Sequence, residues 1–141
     1  MIRRALRNKI PNASFLSTDF ASYQDKRKYK GVIAFDSLFF YTSYKKIESC
    51  YRKISSLLEE GGILLFTAGK IEGENEGTMY GERFYYASYS AMRTLELMKE
   101  NGFSVLKSET DYKDSVSGSR DLVVMARKVS PSSISLKKRI F

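Results

Sequence analysis

Two short, unbroken apolar runs constrain this chain more than any other feature. Gly31-Val32-Ile33-Ala34-Phe35 and Ile63-Leu64-Leu65-Phe66-Thr67 have strand length and do not alternate apolar with polar residues. That is the pattern of strands covered on both faces. Between them, residues 44–59 repeat apolar side chains at Ile47, Tyr51, Ile54 and Leu58. Spacings of four, three and four lay one stripe along a helix, and Gly61-Gly62 reads as the stop of that helix. Strand, helix and strand in this order predict α/β architecture with a mostly parallel sheet.

The flanks extend the pattern. Residues 1–8 read as the end of a helix, with Ile2 and Leu6 four apart among arginines and Pro11 just beyond. Residues 13–17 predict a short strand running into Asp19-Phe20, and residues 22–30 a surface turn or short helix. Residues 90–101 predict a helix with Ala91, Leu95 and Met98 on one side and Gly102 in the stop position. Residues 103–110 and 122–127 predict two strands joined by a turn-rich segment, close enough to be antiparallel neighbours at a sheet edge. Nothing marks an internal domain boundary: residues 1–129 read as one domain and residues 130–141 as a basic, Ser-rich tail.

Composition narrows the chemistry. A length of 141 residues fits one domain. There is no His, which removes imidazole bases and imidazole metal ligands. The single Cys50 can form neither an internal disulfide nor a thiolate zinc cluster, so no metal site is expected. No apolar stretch approaches the roughly 20 residues that span a bilayer. Met1 is followed by Arg3, Arg4 and Arg7 rather than by a signal-peptide core, so the expected location is cytoplasmic and no membrane partner is expected. The net charge of +8 is concentrated at the two ends of the sequence. Basic ends attract nucleic acid, but no aromatic platform is interleaved with them, so nucleic acid is not the expected partner.

In open α/β sheets, ligands bind beyond the carboxyl ends of the strands. That rule selects three segments. The first is Asp19-Phe20. The second runs from Phe35 to Tyr44 and holds Phe35, Phe39, Phe40, Tyr41 and Tyr44 with Asp36-Ser37 among them. The third follows Thr67, where Gly69, Gly73, Gly77 and Gly81 recur every fourth residue before Tyr80, Tyr85, Tyr86 and Tyr89 cluster. Glu72, Glu74, Glu76 and Glu82 make lipid burial untenable there, and repeated glycines would cost a helix about 1 kcal/mol each. The segment therefore reads as a mobile loop, its tyrosines serving either as a lid or as a staple to the sheet.

Taken together these stretches resemble class I S-adenosylmethionine-dependent methyltransferases of the small, Rossmann-like bacterial kind. Pro11-Asn12-Ala13-Ser14-Phe15 leading to Asp19-Phe20 is similar to the family's third strand and its acidic residue at the adenine. Tyr29 through Phe40 is similar to the fourth strand and the segment lining the cofactor's methionine end. Leu57 through Thr67, with its Gly-Gly turn, is similar to the next helix and strand, and residues 84–128 to the substrate-side loop and the closing strand pair. The chain departs from the family where Phe40 and Tyr86 replace histidines and Glu60 replaces a proline.

The resemblance implies S-adenosylmethionine as cofactor and a small-molecule methyl acceptor. It implies that Asp19 and Phe20 hold the adenine, that Phe35 and Asp36 border the methionine portion, and that Tyr41, Tyr80, Tyr85 and Tyr86 meet the substrate. No catalytic residue is singled out. The family's glycine-rich loop and ribose-binding acid have no counterpart in the sequence, so the expected fold is a methyltransferase sheet lacking its first two strands. The strand at 31–35 then becomes an exposed apolar edge, and these 141 residues alone are expected to bind the cofactor weakly or not at all. Such an edge also admits a second reading, a non-catalytic module pairing with a second copy or with a separate N-terminal half.

Overall fold

The computed structural model describes residues 2–38, 41, 43–116 and 118–130. Phe39, Phe40 and the tail from residue 131, singled out above, lie outside the described residues. The elements in order are α1 (Ile2–Arg7), β1 (Tyr29–Ala34), α2 (Tyr44–Leu57), β2 (Leu58–Ala68), β3 (Gly73–Met79), β4 (Glu82–Ser88), α3 (Ala91–Glu100), β5 (Phe103–Asp114) and β6 (Gly118–Lys128). Four strands form one sheet in the order β1-β2-β6-β5, and β3-β4 form a separate hairpin.

Ile47, Tyr51 and Ile54 of the stripe read from the sequence lie on the buried face of α2 with Cys50 and Leu57, whereas Leu58 is the first residue of β2. It meets Leu64 and Phe66 of β2 and Leu122, Val124 and Ala126 of β6, all at 0% exposure, with Leu97 and Met98 of α3 completing the layer. Tyr51 and Phe66 bring their rings to 5.5 Å. Each such side chain contributes about 1.5–3 kcal/mol by leaving water. Ser43 caps α2 by accepting from the Lys46 N–H, and Ser90 caps α3 by accepting from the Arg93 N–H, which satisfies donors that a helix start leaves open.

Several expectations change. Only β1–β2 is parallel, while β2–β6 and β6–β5 are antiparallel. Because β6 returns from β5 by a tight turn and inserts beside β2, the sheet is mostly antiparallel. Helices α2 and α3 pack on one face. On the other, Leu65 and Val123 are half-buried and Met125 stays 36% exposed. Gly61-Gly62 does not stop α2. That helix ends at Leu57, where the Lys128 ammonium donates to the carbonyls of Ser55 and Leu58 at 2.6 and 2.9 Å, a cation at the negative helix end. The glycines sit inside β2, where the register jumps from Leu58 opposite Tyr29 to Ile63 opposite Gly31.

Residues 13–17 form no strand, since no described strand lies beside them to complete a ladder and a lone strand is not stable. The segment before β1 is instead tied by Asp25. Its carboxylate accepts from the Arg27 guanidinium and from the Tyr23 and Tyr29 hydroxyls, which holds it well below the usual carboxylate range. β1 lies at the sheet edge, paired with β2 alone among the described residues. Ile33 there is 75% exposed, as expected of an apolar edge. Residues 73–88 form the hairpin β3–β4 rather than a loop.

Candidate functional site

The parallel pair β1–β2 ends on one rim of the sheet, with Ala34 opposite Phe66. The next residues, Phe35-Asp36 and Thr67, therefore come side by side. β6 runs antiparallel to β2, pairing Leu122 with Ala68, so its first residues reach the same rim and deliver Arg120. The four groups interlock. The Asp36 N–H donates to Thr67 Oγ1 at 2.8 Å, and the Thr67 hydroxyl donates back to Asp36 Oδ1 at 3.2 Å. Arg120 donates from Nε to Asp36 Oδ1 and from Nη2 to Oδ2, each at 2.7 Å, the two-pronged geometry that suits a carboxylate. The guanidinium carbon lies 5.8 Å from the centre of the Phe35 ring, a cation over an aromatic face. Asp36 itself has φ +49, a left-handed backbone that Asp and Asn adopt more readily than other residues.

Over this rim sits the hairpin, and between the two opens a cleft of about 290 Å³ lined by Asp36, Thr67 and Arg120 below and by Gly77, Phe84 and Tyr86 above. Phe84 and Tyr86 stack at 5.5 Å with 30° between their planes. Gly77 is required beneath them, because a Cβ there would stand 2.8 Å from Phe84 Cζ. The hairpin turns at Tyr80-Gly81, with φ of +53 and +82, the two-residue turn whose twist suits paired strands. Its base is fixed by the Ala87 N–H donating to the Tyr41 carbonyl at 3.3 Å. Just beyond, Tyr89 stacks on Tyr44 at 4.4 Å and donates to Glu48 Oε1 at 2.5 Å. Both this carboxylate and burial push the Tyr89 hydroxyl up, burial most.

A second groove of about 230 Å³ runs beside the open edge of β1, between Phe20, Tyr41 and the strand residues Val32, Ile33 and Ala34. Lys53 pins its outer wall by donating to the carbonyls of Phe20 and Ala21 at 2.6 and 2.7 Å, with its ammonium 5.3 Å from the Phe20 ring centre. Asp19 is exposed and accepts from the Ala21 N–H at 3.1 Å. Tyr41 is pushed up to about 12, by burial first and then by a hydrogen bond with the Cys50 thiol. Burial raises Cys50 in turn.

The residues singled out from the sequence thus divide into two groups. Phe20 and Tyr41 line the groove, and Asp19 is not among its lining residues. Phe35 and Asp36 stand on the rim, and Tyr86 lines the cleft. Tyr80 is 99% exposed at the hairpin tip and Tyr85 is 59% exposed on the strand face away from Phe84 and Tyr86, so neither reaches the cleft. Sequence reading missed Thr67 as a partner of Asp36, and it missed Arg120, whose place beside strands from the front of the chain follows only from the antiparallel return of β6. Among the described residues, no group of three or more metal-ligating side chains occurs, and no helix is long and apolar enough to cross a membrane.

Compared with solved structures, the chain superposes on an S-adenosylmethionine-dependent methyltransferase from Methanosarcina mazei with a TM-score of 0.70 at 14% identity, covering 91% of this chain and 77% of that one. The fold is that of class I S-adenosylmethionine-dependent methyltransferases. A Listeria monocytogenes protein assigned to the same enzymes gives a TM-score of 0.73 at 14% identity, over 92% of this chain and 76% of that one. An amino pentose methyltransferase from Micromonospora echinaspora involved in calicheamicin biosynthesis, solved with S-adenosylmethionine bound, gives 0.63 at 10% identity over 90% and 70%. At these identities the methyltransferase likeness is one of fold. No family model and no curated protein sequence matches the chain.

Proposed function

We propose that this chain takes part in S-adenosylmethionine-dependent methyl transfer to a small molecule. The observation that carries the reading is the methyltransferase fold combined with two recesses on either side of the segment after β1, the cleft under the hairpin lined by Asp36 and the groove beside β1 lined by Ser37 and Leu38. When bound, S-adenosylmethionine supplies an electrophilic methyl group. The residues present fit such a group in kind. Phe20 and Tyr41, which line the groove beside β1, offer aromatic faces to a flat base.

The chain's own contribution is positioning and exclusion of water. The hairpin covers the acceptor side, and the Arg120–Asp36–Thr67 lock fixes the ends of β1 and β2 relative to β6. With no His in the chain, any general base is a carboxylate, Lys or Tyr. These 141 residues supply no glycine-rich turn against the cofactor, so the affinity expected of them alone is weak, about 0.1–1 mM. Titration with S-adenosylhomocysteine, followed by amide chemical shifts, tests this. Saturable shifts at Phe35, Asp36 and Phe20 that vanish in Phe35→Ala are expected. No shift at millimolar ligand would defeat the cofactor assignment, and a micromolar constant would defeat the claim of weak binding.

A further inference from the structure

We infer that the cleft under the hairpin selects a planar ring bearing an amine or hydroxyl donor and rejects anionic ligands. This deepens the methyl-transfer reading and rests on it for the identity of the reaction, but the selectivity follows from the cleft itself. Its upper wall is the stacked pair Phe84 and Tyr86. Both rings line the opening, which therefore accepts a flat molecule against an aromatic face. A volume of about 290 Å³ suits one fused ring system and little more.

The floor decides polarity. An arginine in a binding cleft usually suggests an anionic ligand, but here both the Nε and the Nη2 of Arg120 are held by Asp36, and its Nη1 donates to the Ser119 carbonyl at 3.0 Å. The guanidinium is thus committed to the protein, and its charge is matched by that of Asp36. Asp121, exposed at the rim of the same cleft, leaves the lining one negative charge in excess. Outside the lining, Lys70 is paired with Asp111 and Arg83 with Glu76. A carboxylate or phosphate on the ligand would therefore meet repulsion with no free guanidinium to offset it. An N–H or O–H donor instead finds the remaining lone pairs of the Asp36 carboxylate, whose side chain is 40% exposed, with the hydroxyls of Thr78 and Ser119 close by.

The full chain is titrated with three probes: 6-aminoquinoline, planar with a donor; 2-naphthoate, planar and anionic; and cyclohexylamine, cationic and not planar. Saturation-transfer NMR reads binding without any cofactor. Aminoquinoline is expected to bind about tenfold tighter than naphthoate, the effect of one like charge a few ångströms away at intermediate dielectric. Phe84→Ala and Tyr86→Ala are each expected to weaken aminoquinoline about fivefold through lost stacking. Asp121→Asn, an exposed change that leaves the fold alone, should raise naphthoate affinity about threefold while aminoquinoline holds steady. Naphthoate binding as tightly as aminoquinoline, equal binding of cyclohexylamine, or indifference to both aromatic deletions would overturn the inference. Because no probe needs the cofactor, failure of S-adenosylhomocysteine to bind would leave this result standing and remove only the methyl-transfer reading.

Discussion

Asp36 carries two burdens at one position: a left-handed backbone, with φ +49, and a carboxylate shared by Arg120 and Thr67. Substitution separates them. Asparagine tolerates the left-handed region and keeps a hydrogen-bonding oxygen, so Asp36→Asn loses only the ion pair, about 1 kcal/mol given its partial exposure. Asp36→Val loses the pair and also forces a β-branched residue into that backbone, adding about 1–2 kcal/mol. Urea denaturation should therefore rank wild type above Asn and Asn above Val, and equal losses for the two variants would show that the backbone is not held there. The sequence marked Asp36 as an acid after an apolar strand, and the resemblance put it beside the cofactor, but neither pointed to its partner. Its partner stands 84 positions further on, and no local pattern links an aspartate to an arginine at that separation. Tyr80, Tyr85 and Tyr86 were drawn from one tyrosine cluster without a readable period, and only the strand pairing of the hairpin separates Tyr86, on the face of Phe84, from the other two.

Elements held by local signals were the readable ones. The stripe of α2 and the stop at Gly102 sit within a turn or two of the residues they govern, and Gly102 adopts φ +83. Ser90→Ala removes the acceptor for the Arg93 N–H and is expected to cost about 1 kcal/mol, seen as a lower melting temperature that Ser90→Asp restores. The end of α2 was misread because its cap is not local: Lys128 arrives from the far end of β6. The hairpin was hidden for a different reason. Its first strand, Gly73 to Met79, is built of glycine, acids and Asn with little apolar alternation, because Gly77 must make room for the Phe84 ring and Gly81 must take the turn. Gly81→Ala, at φ +82, should destabilise by about 1 kcal/mol or more. Amide exchange should localise that loss to residues 73–88, and uniform loss of protection over the whole sheet would argue that the hairpin does not open as its own unit.

At the scale of the whole molecule, the α/β class and the antiparallel closing pair were legible, while the proportion of parallel pairing was not, since inserting β6 between β2 and β5 is a tertiary choice. That insertion creates the core that α2 covers, and the core buries groups that ionise only in alkali. Tyr51 is 2% exposed and Tyr89 9%, and both hydroxyls are pushed up from the ordinary value of 10.0, burial being the largest cause for each. Tyr41 moves up to about 12 and Cys50 moves up from 9.0, again through burial first. Each is neutral when protonated, so the folded chain keeps protons that the unfolded chain releases. Stability from these groups is complete below about pH 9 and declines as pH rises from there toward 12. The slope for each fully titrating group is about 1.4 kcal/mol per pH unit, and the four groups, largely deprotonated in the unfolded chain near pH 11, together give about 4–5 kcal/mol lost per unit there. Urea midpoints measured from pH 8 to 11 should hold steady at first and then fall. Tyr51→Phe should flatten the fall by about a quarter, because it removes one buried hydroxyl while keeping the ring against Phe66. A midpoint that stays level through pH 11, or a slope unchanged in Tyr51→Phe, would mean that the hydroxyls beneath the sheet reach water without unfolding, and that α2 does not close the core as its contacts with β2 and β6 require.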